Sequence, residues 1–350
     1  MNQSTRAILV INAGSSSIKA AVFGDGRELA RAEAEVSTDH SAALSQVMAA
    51  LEGLGHGLST VSAVGHRVVH GGADLSKSAR ITPELRAQVA ACIPLAPLHN
   101  PHHLTAIDWI TRAAPDLPQC ASFDTAFHAT IPEVATRFAL PEGPSTQGLR
   151  RYGFHGISYA ALVDALPRQT GQPLPHRLLA FHLGNGASIC AIRAGRSVAT
   201  TMGYSPNAGL TMGTRSGDID PAAVLELARR IGIDAAERLL THDSGLRGLS
   251  GLSADMRTLT TSTTPGAKFA VQHFCYWAAR HAGSMIAAMG GVDAIAFTGG
   301  IGENAGGIRA EILDNLGWAE DVPVLIVPAQ EEAFIAREAA RLIEGPSDAK

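Results

Sequence analysis

The sequence has few cysteines and no hydrophobic stretch of membrane-spanning length. The cysteines, Cys92, Cys120, Cys190 and Cys275, are scattered singly, without a Cys-x-x-Cys pair. This pattern is typical of reduced thiols in a cytoplasm, and it provides neither a disulfide framework nor a zinc site. The N-terminal residues lead into a strand pattern without the features of a signal peptide. We therefore expect a cytoplasmic protein with no membrane partner.

A basic surface and a Walker A motif are also lacking. Lys and Arg number 28 against 32 Asp and Glu, and the formal net charge is −4, with the two signs interspersed. No polybasic run indicates a nucleic-acid partner. The pattern G-x-x-x-x-G-K-[ST] does not occur, which excludes a P-loop ATPase.

The length of 350 residues predicts two domains, because single cores rarely grow beyond about 250–300 residues. Strand-like runs alternate with helical patterns, which favours an α/β fold. The cluster PEGPSTQ at 141–147 predicts the boundary, giving an N-terminal lobe over 1–145 and a C-terminal lobe over 146–331. We expect the last helix, within 332–350, to return to the first lobe.

The second half of the sequence contains one long helical pattern and one short polar run. The longest apolar pattern, at 267–289, has apolar residues on almost all sides and predicts a core helix that is buried between layers. The run LTTSTTP at 259–265 predicts a surface loop.

A strand that ends in a glycine and serine turn occurs twice. Residues 8–23 read ILVINAGSSSIKAAVF, and residues 178–193 read LLAFHLGNGASICAIR. Each predicts a hairpin whose glycines allow close approach of a ligand and whose hydroxyl and N–H groups suit phosphate oxygens. Either turn alone has an ordinary conformational explanation. The pair predicts two phosphate loops that face each other across a cleft.

Two arginines lie in glycine-rich surroundings, Arg67 in HRVVHGG and Arg215 in MGTRSGDIDP. Taken singly, either is explained as a surface charge. Two guanidinium groups acting together can hold a carboxylate beside a transferring phosphoryl group, because they offset the repulsion between the two anions. Asp218 or Asp220 is expected to cap the helix that follows Arg215.

Histidine-containing motifs supply further candidates. His155 in YGFHG is suited to donate to developing negative charge, and Asp124 in FDTAFH ends an apolar strand. PLHNPHH places His99, His102 and His103 in a predicted loop. A metal site there is a minor alternative, since no carboxylate pattern accompanies it.

FTGGIGENAGG at 297–307 matches a relaxed dinucleotide fingerprint that follows a strand and opens a helix. Glu331 lies after the next apolar run, but too few residues remain after that run for the second half of a dinucleotide-binding domain. A glycine-rich backbone leading into a helix is equally suited to pack against the adenosine part of a nucleotide.

Taken in order, the motifs closely resemble the acetate kinase (acetokinase) family over essentially the whole chain. They are NAGSSSIK, GHRVVHGG, PLAPLHNP, FDTAFH, RRYGFHGIS, HLGNGAS, MGTRSGDIDP, GLSADMR and FTGGIGEN. The resemblance implies the two-lobed, actin-like ATPase fold with a duplicated ribonuclease H-like core that acetate and sugar kinases share with Hsp70. It also implies a homodimer.

The resemblance implies Mg²⁺ as cofactor, with Mn²⁺ as a substitute, held by Asn12 and Glu331. It assigns ATP contacts to three groups of residues: Ser15, Ser17 and Lys19 of the first phosphate loop; His182, Leu183, Gly184, Asn185 and Gly186 of the second; and Asp255, Met256, Arg257, Gly300, Ile301, Gly302, Glu303 and Asn304 around the nucleoside.

The resemblance makes Arg67 the residue that binds the substrate carboxylate and Arg215 and His155 the groups that stabilise the transferring phosphoryl group. Asp124 becomes an acidic active-site residue, although an ionised carboxylate substrate needs no general base. The remaining substrate contacts are an apolar pocket with an adjoining histidine: Val69, Leu98, His99, Phe154 and Pro206.

The implied reaction is reversible, direct in-line transfer of the ATP γ-phosphoryl group to acetate, with ADP and acetyl phosphate as products. Propionate or another short-chain carboxylate is the alternative substrate. An NAD-dependent dehydrogenase and a non-catalytic nucleotide switch are distant alternatives.

The sequence departs from the family pattern at several places. It is shorter than typical members between residues 23 and 61 and around 259–265. Met256 replaces a phenylalanine, Tyr159 replaces the histidine of the usual GTSH run, and Ala329–Gln330 stand where Thr–Asn usually precede the metal-binding glutamate.

Overall fold

The computed structural model describes residues 7–37, 39–317 and 321–344. These residues form two compact units. The first comprises the described residues up to Phe127 together with those from Gln330 onward, and the second comprises His128–Ala329.

The strands are β1 (Ala7–Ala13), β2 (Ser17–Gly24), β3 (Arg27–Glu35), β4 (Val61–Val68), β5 (Ala79–Arg80), β6 (Gln119–Phe123), β7 (Arg177–Leu183), β8 (Ala187–Arg193), β9 (Arg196–Thr200), β10 (Ala294–Thr298) and β11 (Val324–Ile326). The α-helices are α1 (His40–Gly53), α2 (Pro83–Ala91), α3 (Asn100–Ala113), α4 (Glu133–Thr136), α5 (Gly156–Thr170), α6 (Pro221–Ile231), α7 (Ile233–His242), α8 (Gly245–Ser250), α9 (Met256–Thr261), α10 (Pro265–Met289), α11 (Gly299–Asn304), α12 (Gly306–Asp314) and α13 (Glu331–Glu344). None of the described helices combines the length and the apolar character needed to cross a membrane.

The first unit is built on a sheet of order β3-β2-β1-β4-β6-β5. Strands β1, β2 and β3 form an antiparallel meander, whereas β4 runs parallel to β1 and β6 parallel to β4. Successive residues of a strand face opposite sides of the sheet. Val64 accordingly packs in a core with α1 and α3, and Gly65 lies against α13. A Cβ at Gly65 would come within 2.7 Å of Ile335, so the absent side chain lets α13 pack on this sheet.

The second unit repeats this arrangement in a sheet of order β11-β10-β7-β8-β9. Strands β7, β8 and β9 form the antiparallel meander, β10 runs parallel to β7, and β11 runs parallel to β10. Helix α10 packs on this sheet, and its buried residues include Phe274 and Ile286. The repeated strand order confirms the predicted α/β class with a duplicated core, and it confirms both predicted hairpins.

The division between the units differs from the boundaries at 145 and 331. Residues that follow Phe127 bond within the second unit, since Thr130 Oγ1 donates to the Ser197 carbonyl (2.7 Å) and Arg151 N donates to the Thr136 carbonyl (2.7 Å). At the other end, Glu331 begins α13 and belongs to the first unit.

Two expectations about the second half are confirmed only in part. Helix α10 is a core helix that packs between its sheet and neighbouring helices, but Phe269 and Tyr276 on one face are 53% and 55% exposed. The stretch 259–265 is not entirely a loop, because α9 extends to Thr261 and begins at a cap in which Asp255 accepts from Arg257 N (3.0 Å). Leu259 of this helix is 1% exposed, so burial of its side chain stabilises the turn.

Candidate active site

The β1–β2 turn carries the first predicted phosphate loop. Gly14 N donates to the Ser17 carbonyl (2.9 Å), and Ser15 is exposed at the tip. Lys19 lies on β2, where its Nζ is 3.5 Å from a carboxylate oxygen of Glu33 on β3. The turn therefore presents the hydroxyl group of Ser15, while Lys19 is paired with a carboxylate on the neighbouring strand.

Two histidines that the sequence did not assign to this loop support it. One contacts the turn backbone and the other stacks on the first. His40, the first residue of α1, has Nε2 3.0 Å from the Gly14 carbonyl oxygen. Its ring stacks on that of His102, with centroids 4.0 Å apart and planes at 8°. Burial and the neighbouring His40 lower the pKa of His102, which favours its neutral form.

Arg67, near the end of β4, lies at the centre of the polar groups in the first unit. Its Nη2 donates to Asp124 Oδ2 (2.6 Å), and its Nη1 donates to Asn12 Oδ1 (3.2 Å). Asp124 is 2% exposed and the Arg67 side chain 22%. Burial opposes the charge of Arg67, but the Asp124 and Glu331 carboxylates raise its pKa above the ordinary value. The guanidinium is thus charged, oriented and partly accessible.

Asn12 and Glu331 bring an amide oxygen and a carboxylate to the same unit. Burial raises the pKa of Glu331, and the Arg67 charge acts in the opposite direction. Oxygen ligands of this kind fit Mg²⁺, which takes few protein ligands and keeps waters and substrate phosphate oxygens for its remaining positions. Within the described ranges, no group of three or more His, Cys, Asp or Glu side chains is arranged to hold a metal.

The sequence predicted a loop for the histidines of PLHNPHH, but the structure places them at the start of α3. His99 is the N-cap residue of α3, and His102 and His103 lie in its first turn. His103 is 2% exposed and neither ring nitrogen has a hydrogen-bond partner. Burial lowers its pKa well below the usual value, so the ring is neutral.

The predicted acyl-pocket residues lie in both units. In the first, Val69 follows β4 and is 4% exposed, whereas Leu98 is 47% exposed. In the second, Phe154 is 1% exposed and Pro206 is half-buried. Only Leu98 among the four presents a large free apolar surface.

The β7–β8 turn, the second predicted phosphate loop, brings His155 and Arg215 together. Gly184 N donates to the Gly186 carbonyl (2.9 Å). A Cβ at Gly186 would lie 2.9 Å from Arg215 Nη2 and 3.2 Å from His155 Nε2. The glycine is therefore required for this convergence, and the two cationic or donor groups flank one stretch of turn backbone. Asn185 is exposed at the tip.

Arg215 is fixed by its surroundings in the second unit. Its Nη1 donates to the Pro206 carbonyl (2.7 Å), and its own carbonyl accepts from Met212 N (3.1 Å). The loop then continues into α6, whose N-terminus is capped by Asp220 through Ala222 N (2.7 Å). This confirms one of the two residues expected to cap that helix.

His155 has a backbone conformation that non-glycine residues rarely adopt, with φ of 58° at the N-cap of α5. Strained residues of this kind cluster at functional sites. Its Nδ1 is 2.9 Å from Ser188 Oγ, and its ring stacks on His182 at 4.1 Å. His182 Nδ1 is in turn 2.8 Å from Ser158 Oγ. Sequence reasoning found His155 and His182 but missed the two serines.

The predicted nucleoside residues lie on two short helices. Asp255 caps α9 and pairs with the exposed Arg257, while Met256 is 2% exposed and packs in the core. On α11, Glu303 Oε1 accepts from Gly299 N (3.0 Å) and Ala329 N (2.9 Å).

The remaining residues of α11 follow β10 closely. Asn304 Nδ2 donates to the Gly300 carbonyl (2.9 Å), Gly302 is buried, and Ile301 is half-buried. Gly299, at φ 81°, allows the helix to start against Leu183, since a Cβ there would lie 2.8 Å from the Leu183 carbonyl. Glu303 and Gly299 therefore hold α11 beside the end of β7.

The chain belongs to the acetokinase family, whose model matches residues 24–343. It is 43% identical to the acetate kinase of Deinococcus radiodurans over 391 aligned positions, covering 96% of this chain and 98% of that protein. The alignment is longer than the 350 residues of the chain, so the relative carries segments that are lacking here.

Solved structures agree with this assignment. The Porphyromonas gingivalis acetate kinase superposes with a TM-score of 0.87 at 33% identity, over 97% of this chain and all of that one. A propionate kinase from Francisella tularensis gives 0.88 at 32% identity, over 95% and 98%. The protein is therefore a kinase, which excludes the dehydrogenase and the non-catalytic switch as alternatives.

Proposed function

We propose that this kinase transfers the γ-phosphoryl group of ATP to acetate, giving acetyl phosphate and ADP, and that the reaction is reversible. Propionate is the second substrate and butyrate a poor one. The observation that carries the proposal is the pair of oriented arginines, Arg67 beside Asp124 and Arg215 beside His155. When two anions react, positively charged side chains must lie beside each of them to offset their repulsion.

Arg67 binds the substrate carboxylate in this mechanism. A charged guanidinium with partly accessible donors forms strong, directional hydrogen bonds to a carboxylate. Acetate is ionised near neutral pH, so its oxygen attacks without a general base. Asp124 then orients Arg67 through the 2.6 Å bond instead of removing a proton.

Arg215 and His155 act on the group in transfer. Charge spreads over the equatorial phosphoryl oxygens in the transition state, and fixed donors aimed at them lower the barrier. The two side chains flank Gly186, in a glycine-rich turn of the kind that binds phosphate oxygens. None of the proposed site residues is an obvious covalent nucleophile, so we propose one direct in-line transfer.

Asn12 and Glu331 would hold the magnesium ion, with Mn²⁺ as a substitute. When bound, the metal neutralises phosphate charge and orients the phosphates. The phosphates of ATP are contacted by Ser15, Ser17 and Lys19 of the β1–β2 turn and by His182 to Gly186 of the β7–β8 turn. The nucleoside contacts are proposed for the residues of α9 and α11 named above.

We also propose a cytoplasmic homodimer. The four cysteines are free and buried, as expected in a reducing compartment. The exposed face of α10 supports self-association, since Phe269 and Tyr276 are exposed on it. The ring of Tyr276 lies 6.0 Å from that of Trp277, over which Arg280 stacks at 4.4 Å. Exposed aromatic groups of this kind are enriched at protein interfaces.

Hydroxylamine trapping of acyl phosphate tests the substrate directly. With ATP and magnesium, acetate should give the most hydroxamate, propionate less and butyrate little. Omitting ATP provides the blank, and exposed Arg229 replaced by Ala provides an active control. The proposal would be falsified if acetate gave no more hydroxamate than the blank.

A further inference from the structure

Two side chains, hydrogen-bonded in series, connect His155 to the interior of the second unit. Tyr159, in the first turn of α5, is fully buried, and its hydroxyl lies 2.6 Å from Ser188 Oγ. Ser188, fully buried on β8, lies 2.9 Å from His155 Nδ1. The far nitrogen, Nε2, is on the side of Gly186 and Arg215. These two hydrogen bonds therefore connect a buried phenol to Nδ1 of His155, the ring nitrogen that faces away from the proposed phosphoryl group.

The partners of the buried phenol set the direction of these hydrogen bonds. Burial raises the pKa of the Tyr159 hydroxyl well above its usual value, so the phenol keeps its proton. The backbone of His182 already donates to the phenol oxygen, and Ser188 Oγ is therefore the acceptor for the Tyr159 O–H. The Ser188 oxygen accepts this hydrogen bond and directs its own proton to His155 Nδ1. A neutral imidazole that accepts at Nδ1 carries its proton on Nε2.

His155 is the N-cap residue of α5 and has a left-handed backbone, but its side chain makes no capping hydrogen bond. Its stacking partner, His182, is held separately by Ser158, the residue next to Tyr159. Two consecutive residues of α5 thus control the two stacked rings. Tyr159 also stands where the family resemblance leads one to expect histidine.

We propose that Tyr159, acting through the Ser188 hydroxyl, sets the tautomer and rotamer of His155 so that Nε2–H faces the turn at Gly186. Tyr159 and Ser188 are positioning residues, and His155 is the group that touches the phosphoryl oxygen. The inference rests on the proposed role of His155. It assigns the buried tyrosine a function in turnover and not only in packing.

Tyr159→Phe removes the hydroxyl and keeps the ring, which packs edge-on against His128 at 5.8 Å. Loss of one positioning hydrogen bond should lower kcat by about tenfold, with KM for acetate and ATP within about twofold of wild type. Ser188→Ala should lower kcat similarly. Because the two act in series, the double variant should be no slower than Ser188→Ala alone.

Tyr152→Phe is the matched control, since Tyr152 is also buried and donates to the Gly148 carbonyl (3.0 Å) in the same unit. It should keep wild-type kcat. Circular dichroism and Tm of each variant establish that it is folded. If Tyr159→Phe failed to fold, Ser188→Ala would carry the same test.

His155→Ala separates the two levels of the argument. If it lowers kcat and Tyr159→Phe has no further effect in that background, the inference holds. If His155→Ala is slow but Tyr159→Phe equals wild type, or its loss persists without His155, the positioning role is wrong and the role of His155 stands. If His155→Ala equals wild type, the proposed function of His155 fails and the inference fails with it.

Imidazole ¹⁵N shifts of His155 should show the Nε2–H tautomer in wild type and a mixture in Tyr159→Phe.

Discussion

The two glycine turns occupy equivalent places in the two sheets, yet the side chains beside them are held by different forces. In the first unit, Arg67 is fixed by a buried carboxylate and an amide, Asp124 and Asn12. In the second, neutral hydroxyls and rings hold His155, and a backbone carbonyl orients Arg215. A duplicated framework therefore carries two unlike sets of groups.

The difference fits two different anions. A carboxylate substrate is a small monoanion, and in the proposed mechanism it is bound by Arg67, whose charge is balanced by Asp124. The phosphoryl group accumulates charge only in the transition state, where fixed donors with little reorganisation lower the barrier most. In the proposed mechanism, the first unit therefore binds the carboxylate and the second accelerates the transfer.

The largest expected effect is that of Arg215→Ala. Loss of a phosphoryl-stabilising arginine should reduce kcat by about 10³–10⁵, with a smaller change in KM for acetate. Steady-state kinetics measure both constants, and Arg229→Ala in the same unit should match wild type. Near-normal turnover would remove Arg215 from the proposed mechanism.

Glu331→Gln tests the metal assignment in the first unit. Loss of a charged ligand should raise the magnesium concentration for half-maximal rate by about tenfold or more. Its neighbour Glu332, which pairs with Arg31, offers the matched control Glu332→Gln. A magnesium titration that is identical for Glu331→Gln and wild type would place the metal elsewhere.

Buried histidines make stability sensitive to acid in both units. Burial lowers the pKa of His66 and of His128 to about 4, below the ordinary value of 6.5. Between these values the unfolded chain binds more protons, so stability falls as pH falls from about 6.5 to about 4. Each histidine contributes about 1.4 kcal/mol per pH unit.

His66→Gln should therefore flatten the pH dependence of the unfolding free energy by about that slope, as measured by denaturant titration at pH 7, 6 and 5. The same change at exposed His242 should leave the slope unchanged. Parallel curves for His66→Gln and wild type would show that folding does not change proton binding by His66, which contradicts a lowered pKa.

The smallest expected effect concerns acyl-chain length. Each methylene gains only about 0.8 kcal/mol on burial, or about fourfold in efficiency. Val69→Ala should shift the ratio of kcat/KM for propionate over acetate upward by about that factor. Val68→Ala, in the core of the first unit, should lower stability without shifting the ratio. An unaltered ratio in Val69→Ala would remove Val69 from the acyl pocket.

Local patterns in the sequence predicted the parts of this comparison that depend on neighbours in the chain. The glycine turns, the helix cap at Asp220 and the place of Arg67 near a strand end all follow from short-range chemistry. The β3 strand was not predicted, because its inward residues, Ala30, Ala32 and Ala34, have low strand propensity. Pairing with β2 overrides that preference.

Long-range contacts were beyond the reach of these patterns. The stacked pair His40–His102 joins two helices, and the Tyr159–Ser188 bond joins a helix to a strand. Exposure of Tyr276 was also missed, since an apolar residue type does not reveal which face of a helix is covered. Ser188 lies in the HLGNGAS motif, two residues after Gly186, which is the one signal that pointed to it.

The division of labour is tested most directly by Arg67→Ala, with acetate varied at saturating ATP and ATP varied at saturating acetate. Arg86→Ala is the matched control, because Arg86 also makes a two-bond pair with a carboxylate in the first unit. Loss of a charged hydrogen bond worth about 1.5–3 kcal/mol predicts a rise of about 10- to 150-fold in KM for acetate, with KM for ATP near wild type. An unchanged KM for acetate, or an equal rise in both constants, would contradict the account.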